Sequence, residues 1–141
     1  DITGGWIATP KAPTSAARPG NLSVTRGESS ITITAPETQS QGGVFTPTNK
    51  IDLTSYSRLI FKGTLNNKTP DADYLKICIW SDLGTIWSNN LVASYLAPAN
   101  TVTTNAEIDI SSLTGEFVLG FALYNWSGYR PIVMMEDVFA E

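Results

Sequence analysis

Apolar and polar residues alternate with a period of two along most of this chain, and helical spacing is almost absent. Short runs of Val, Ile, Thr and aromatic residues are separated by Gly, Pro, Asn and Asp clusters, the punctuation of a β-sandwich. The pattern predicts strands over 22–26, 29–35, 43–46, 57–66, 73–81, 101–110, 116–125 and 131–139. Gly27-Glu28 leaves a hairpin-length gap between the first two. Residues 89–97 fit either a strand or one helical turn, because Leu91/Tyr95 and Val92/Leu96 stand four apart. Residues 9–20 carry three prolines, which exclude a helix, make a sheet ladder unlikely and suggest an ordered wrap or long loop. The fold class expected is all-β, an antiparallel two-sheet β-sandwich of the jelly-roll kind, with residues 1–141 as a single module.

Side chains two apart share a face of a sheet, so alternation also assigns the core. Leu75, Ile77 and Ile79 point one way, with Tyr74, Lys76, Cys78 and Trp80 opposite; Leu59, Phe61 and Leu65 oppose Arg58, Lys62 and Thr64. In 116–125, Phe117, Leu119, Phe121 and Leu123 make the core side, leaving Val118, Gly120, Ala122 and Tyr124 on the other. Two small residues in mid-strand beside a Tyr leave a hollow, which either a flat ligand or a neighbouring loop could fill. Ile51–Ser55 and Ile108–Ser112 echo one another, with Asp and Ser/Thr placed to cap tight turns.

Composition narrows the chemistry. The 141 residues are 42% hydrophobic, enough for a real core, and 16% charged against about a quarter in typical domains. Thr (17), Ser (13) and Asn (9) are plentiful, as in extracellular or virion β-proteins. A net charge of −4 with no two adjacent basic residues argues against nucleic acid or an anionic membrane as partner. No stretch is long and apolar enough to span a bilayer, and the opening Asp1 reads as a domain cut from a longer chain with covalent neighbours. With no His, imidazole catalysis is excluded; with one Cys, so are intradomain disulfides and Cys-rich zinc sites. Cys78, inside an apolar run, is expected to be a small buried hydrophobe.

Carboxylate chemistry remains, but Asp52, Asp71, Asp73 and Asp109 fall in turn-like settings, Glu107 and Glu116 flank a turn, and Glu136 and Asp137, adjacent on a strand, should face opposite sides. No catalytic residue is assigned, and the chain is expected not to be an enzyme. Recognition by stacking is the better prospect, because a sugar's C–H face packs on an aromatic plane. Trp80 has non-core parity at a strand end, Trp87 lies in the 82–90 loop, and Trp126 opens the 125–130 loop beside Tyr129. If strands 73–81 and 116–125 run the same way, Trp80, Trp87, Trp126, Tyr129 and Arg130 share one rim, with Asp82, Asn89 and Asn125 hydrogen-bonding to hydroxyls. The competing reading has Trp87 and Trp126 capping the sandwich ends, and Arg130 is open to an acidic sugar or to a cation–π stack. Trp6 is expected to be buried.

Three segments together carry a resemblance: Lys50-Ile-Asp-Leu-Thr-Ser-Tyr-Ser-Arg-Leu-Ile-Phe61, Ala106-Glu-Ile-Asp-Ile-Ser-Ser-Leu-Thr-Gly115, and a last strand ending Glu136-Asp137-Val138. From about residue 43 onward the chain resembles the galactose-binding-like jelly rolls of non-catalytic carbohydrate-binding modules, and is similar to modules in surface and phage tail proteins of Firmicutes. That resemblance implies a polysaccharide or cell-surface glycan as partner, on a sheet face or along a loop edge, and an extracellular, cell-surface or virion setting. It also implies a possible structural calcium, for which Glu28 and Asp137 are the nearest counterparts, although the usual Phe-Glu opening is missing. The alternative is a structural or assembly domain of a phage tail or bacterial surface protein with no glycan ligand.

Overall fold

The computed structural model describes residues 5–11, 18–84 and 87–141, the side chains of Trp87 and Ser88 excepted. Its strands are β1 (Trp6–Thr9), β2 (Arg18–Pro19), β3 (Ser23–Arg26), β4 (Ile31–Thr34), β5 (Gln41–Pro47), β6 (Ile51–Asp52), β7 (Arg58–Asn67), β8 (Leu75–Trp80), β9 (Leu91–Leu96), β10 (Thr101–Asp109), β11 (Glu116–Tyr124) and β12 (Ile132–Ala140). One sheet runs β1-β5-β11-β8-β9, with β2 and β6 added at its margins; the other runs β10-β7-β12-β4-β3. Apart from the two-residue parallel pairing of β2 with β5, every ladder is antiparallel. This is the expected two-sheet sandwich.

The predicted hairpin is present: Arg26 pairs with Ile31 and the Gly27 amide donates to the Ser30 carbonyl at 2.8 Å. Residues 91–96 resolve as strand β9, so Leu91/Tyr95 and Val92/Leu96 share no helical turn; a 3-10 turn over Trp87–Asn90 precedes the strand. Strand 73–81 starts two residues late, because Asp71 caps a 3-10 turn over Ala72–Tyr74 by accepting from the Asp73 amide at 2.8 Å. Part of the proline-rich stretch, contrary to expectation, joins a ladder through β2; its residues 12–17 lie outside those described.

Alternation placed the core correctly. Leu59, Phe61, Leu65, Leu75, Ile77, Ile79, Leu119, Phe121 and Leu123 are buried between the sheets, and Trp6 stacks on Phe45 with ring centroids 5.4 Å apart. The echoed turns also form, with the Asp52 carboxylate accepting from the Thr54 amide and the Asp109 carboxylate from the Ser111 amide, each at 2.9 Å. The Thr54 amide at Asp52, and at Asp109 first the Ser111 hydroxyl and then its amide, hold the two carboxyls below the ordinary aspartate range.

The other face of β8 departs from a simple alternating strand, since all six of its residues are buried. Val44, Cys78, Trp80 and Ala122 form a second small core on the outside of the first sheet, under Leu83, Leu91 and Val118. The hollow above Gly120 is thereby filled from within: a Cβ there would lie 3.0 Å from the Trp80 ring, from Val44 Cγ1 and from the Phe45 carbonyl. Cys78 is fully buried in this cluster, and burial pushes its thiol up to about 12.

Candidate functional site

Strand direction decides which aromatics meet. β8 and β11 are antiparallel, pairing Leu75 with Leu123 and Trp80 with Val118, so the loops after them emerge at opposite ends of the sandwich. Val118 and Trp126 stand eight residues apart along one path, about 26 Å at roughly 3.3 Å per residue. The shared rim is therefore corrected: Trp80, Asp82, Asn89 and the backbone of Trp87 belong to one end, and Asn125, Trp126, Tyr129 and Arg130 to the other. The Trp87 side chain lies outside the described residues.

Burial corrects two more expected contacts. Trp80 is 1% exposed and packed as described, so it offers a ligand no face. Asn125 is fully buried with its amide already engaged: Nδ2 donates to the Pro36 and Glu37 carbonyls at 2.7 and 3.2 Å, and Oδ1 accepts from the Gly128 amide at 2.8 Å. Asp82 is exposed at the far end, where its carboxylate accepts from the Leu83 amide.

Trp126 and Tyr129 remain in the open. They pair across a two-residue turn, each amide donating to the other's carbonyl at 3.1 and 2.8 Å. Ser127 and Gly128 both have positive φ, 50° and 89°, the signature of the primed turns that match strand twist. The pairing sets the two rings on one side, stacked at 5.9 Å and 26°, with Trp126 38% and Tyr129 56% exposed. Asn125 staples the turn from beneath. Arg130 ties its other leg to the sheet through Nε to the Ala35 carbonyl at 2.9 Å and Nη2 to Ser23 Oγ at 3.1 Å. Asn125 and Arg130 thus position the platform.

The same anchors adjoin a polar groove of about 260 Å³ lined by Asn21, Leu22, Ser23, Pro36, Glu37, Thr38 and Gln41. An exposed aromatic plate beside hydroxyl, amide and carboxylate groups can dock one face of a polyhydroxylated ring and hydrogen-bond its edge. Sequence reasoning missed a second pair at this end. Tyr74, carried by the 3-10 turn before β8, stacks on Tyr124 at 4.4 Å and 30°, both rings half-buried. Burial first, then Tyr124, Asp71 and Asp73, push the Tyr74 phenol upward, keeping its hydroxyl neutral.

The carboxylates gather elsewhere. A bulge between Met135 and Asp137 in β12 overturns simple alternation there, so that Glu136, Asp137 and Glu28 all line an open groove of about 610 Å³. The calcium implied by the resemblance is poorly served: it takes roughly six to eight oxygens. Asp137 Oδ1 already accepts from the Val138 amide, and among the described residues no group of three His, Cys, Asp or Glu side chains converges for a metal. These residues do not fit the ion.

No protein-family model and no curated protein sequence matches this chain. Its fold, however, is shared with a solved carbohydrate-binding module and with part of a phage tailspike domain. The low-affinity xylan-binding module CBM86 from the gut symbiont Roseburia intestinalis superposes over 98% of this chain and 96% of its own, with a TM-score of 0.53 and 12% identity. The enzymatically active domain of tailspike protein 4 from bacteriophage CBA120 matches 99% of this chain with a TM-score of 0.57 and 17% identity, and the present chain spans only 19% of it. The xylan-binding module CBM15 also aligns over 98% of this chain, with a TM-score of 0.47 and 16% identity.

Proposed function

We propose that this chain is a non-catalytic glycan-binding module that docks a polysaccharide or cell-surface glycan on the Trp126–Tyr129 hairpin and the polar groove beside it. The observation that carries this reading is the exposed, stacked pair on a turn fixed by Asn125 and Arg130, because pre-positioned plates lose little side-chain freedom on binding. The xylan-binding module of the same fold supports it. Such a module works outside a cell or on a virion, joined to other domains. Among the described residues no helix is long and apolar enough to cross a membrane. Affinity per site is expected in the millimolar to micromolar range, roughly −4 to −8 kcal/mol.

The test is a glycan array probed with wild type, Trp126→Ala and Tyr129→Ala, with melting temperatures measured alongside. Wild-type binding that disappears in either variant at unchanged melting temperature supports the reading; no binding by wild type to any glycan defeats it. A second reading, an assembly domain of a tail or surface protein, draws on the exposed Val92, Leu96 and Val102 along β9 and β10. It expects association with a partner chain and no glycan binding.

A further inference from the structure

We propose that β9 is a self-complementary edge on which a second copy of this chain docks, antiparallel about a two-fold axis through Ser94, so that the first sheet continues from one copy into the other. This goes beyond the glycan reading and does not depend on it. β9 closes the first sheet: it pairs with β8 on one side, and among the described residues no ladder lies on the other.

Unpaired edges are normally guarded by charge, proline, bulges or brevity, because a row of free amides and carbonyls is a template for another strand. The other edges of the two sheets follow that rule. β1 is four residues long and runs into Pro10, β3 is four long and ends on Arg26, and β10 is interrupted by a bulge between Thr104 and Ala106 and carries Glu107 and Asp109. β9, Leu-Val-Ala-Ser-Tyr-Leu, has neither charge nor proline in its six residues, and its register shift, where Leu91 faces Trp80, sits at its beginning. Along its outer face Val92 and Leu96 are each 44% exposed, with exposed Ser94 between them.

The phase of the β8–β9 ladder shows which backbone groups are free. The Ala97 amide donates to the Leu75 carbonyl at 3.0 Å, so Leu75–Ala97 is a hydrogen-bonded pair, and by alternation so are Ile77–Tyr95 and Ile79–Ala93. The amides and carbonyls of Ala93 and Tyr95 therefore point at β8, while the Val92 carbonyl, both Ser94 groups and the Leu96 amide point away from it. A second strand can add only in a register that sets outward groups against outward groups and keeps each side chain on its own face. Pairing Ser94 with the partner's Ser94 does both and uses most of the strand: the two Ser94 residues bond reciprocally, and each Leu96 amide meets the partner's Val92 carbonyl. The same register lays Val92 of each copy against the partner's Leu96, covering the exposed apolar pair, and β9 brings no charge into the contact. A ladder this short falls below the roughly 800 Å² per partner of a typical stable complex, so the dimer is expected to be weak, with a Kd of about 10–500 µM. The Trp126–Tyr129 hairpin follows β11, two strands in from the contact, at the end where β9 finishes. Antiparallel docking thus leaves both hairpins uncovered, at opposite ends of the joined sheet.

The experiment is analytical ultracentrifugation of the chain from about 10 µM to 1 mM, with circular dichroism melting to check each fold. Wild type is compared with Ser94→Pro, which removes an amide that points away from β8 and so spares the native ladder, and with two double variants, Val92→Lys with Leu96→Lys and Val92→Glu with Leu96→Glu. The expected result is a wild-type dimer and nothing larger, weakened about tenfold or more in Ser94→Pro. Each double variant alone is expected to stay monomeric, and their equimolar mixture to recover a heterodimer, because the register sets every Lys against a Glu. Wild type that stays monomeric at the highest concentration overturns the inference and leaves the edge to a strand of a different protein. A dimer that survives in Ser94→Pro and in both double variants, or association that grows beyond two copies, overturns it as well. A mixture that stays monomeric overturns the Ser94 register, and should the double variants fold poorly, Ser94→Pro decides alone.

Discussion

Trp80 illustrates how far a single position can be read from sequence. Its parity places it on the non-core side, and that is where it lies, but alternation cannot tell that Leu83, Leu91 and Val118 roof that side and that its ring covers Gly120. Trp80→Ala is accordingly expected to cost about 3–5 kcal/mol of stability by opening a cavity, measured by denaturant unfolding, and to leave glycan binding by folded protein unchanged. Asn125 fails as a ligand contact for a related reason. An Asn after a strand is as suited to stapling a turn as to meeting a hydroxyl, and only the Pro36, Glu37 and Gly128 partners decide between them. Asn125→Ala strands those buried groups and is expected to cost about 1–3 kcal/mol and to loosen the aromatic hairpin, so here stability and binding fall together. Trp6 and Cys78 were legible because each sits where an apolar environment is already implied by its neighbours.

At the scale of the element, strand positions follow from alternation, while the departures come from local hydrogen bonding that alternation ignores. Asp71 turns the start of strand 73–81 into a 3-10 cap and so aims Tyr74 at Tyr124; the β12 bulge brings two consecutive acids to one groove. The Trp126–Tyr129 hairpin has its own lever. Ser127 holds a φ of 50°, where a side chain other than Asn or Asp bears roughly 1–2 kcal/mol of strain. Ser127→Asn should recover part of that, raising the melting temperature while leaving both rings in place and the affinity for glycan undiminished.

Across the whole molecule, what the sequence withheld was direction. Which loops share an end depends on whether β8 and β11 run together or against one another, and nothing in either segment's composition records that choice; the antiparallel outcome divides the four expected aromatics between two ends. The pH response is a property of the assembled sandwich too. With no His in the chain, stability should be flat from about pH 6 to 8. Above that, Cys78 is pushed up by burial from 9.0 to about 12, and Tyr74 is raised as well. A folded-state value above the unfolded one gives stability that is full below pH 9 and lost as pH climbs toward the folded value. Melting temperature should therefore decline between pH 9 and 12, and decline less steeply in Cys78→Ala.

That same thiol gives the fold a built-in clock. It is the only sulfhydryl in the chain and is sealed beneath the sheet's outer cover, so iodoacetamide can reach it only in molecules whose cover has come undone. The rate of a single carbamidomethyl mass gain, followed under native conditions, would time those openings without any dye or label, and any compound that holds the cover shut would announce itself by slowing that gain.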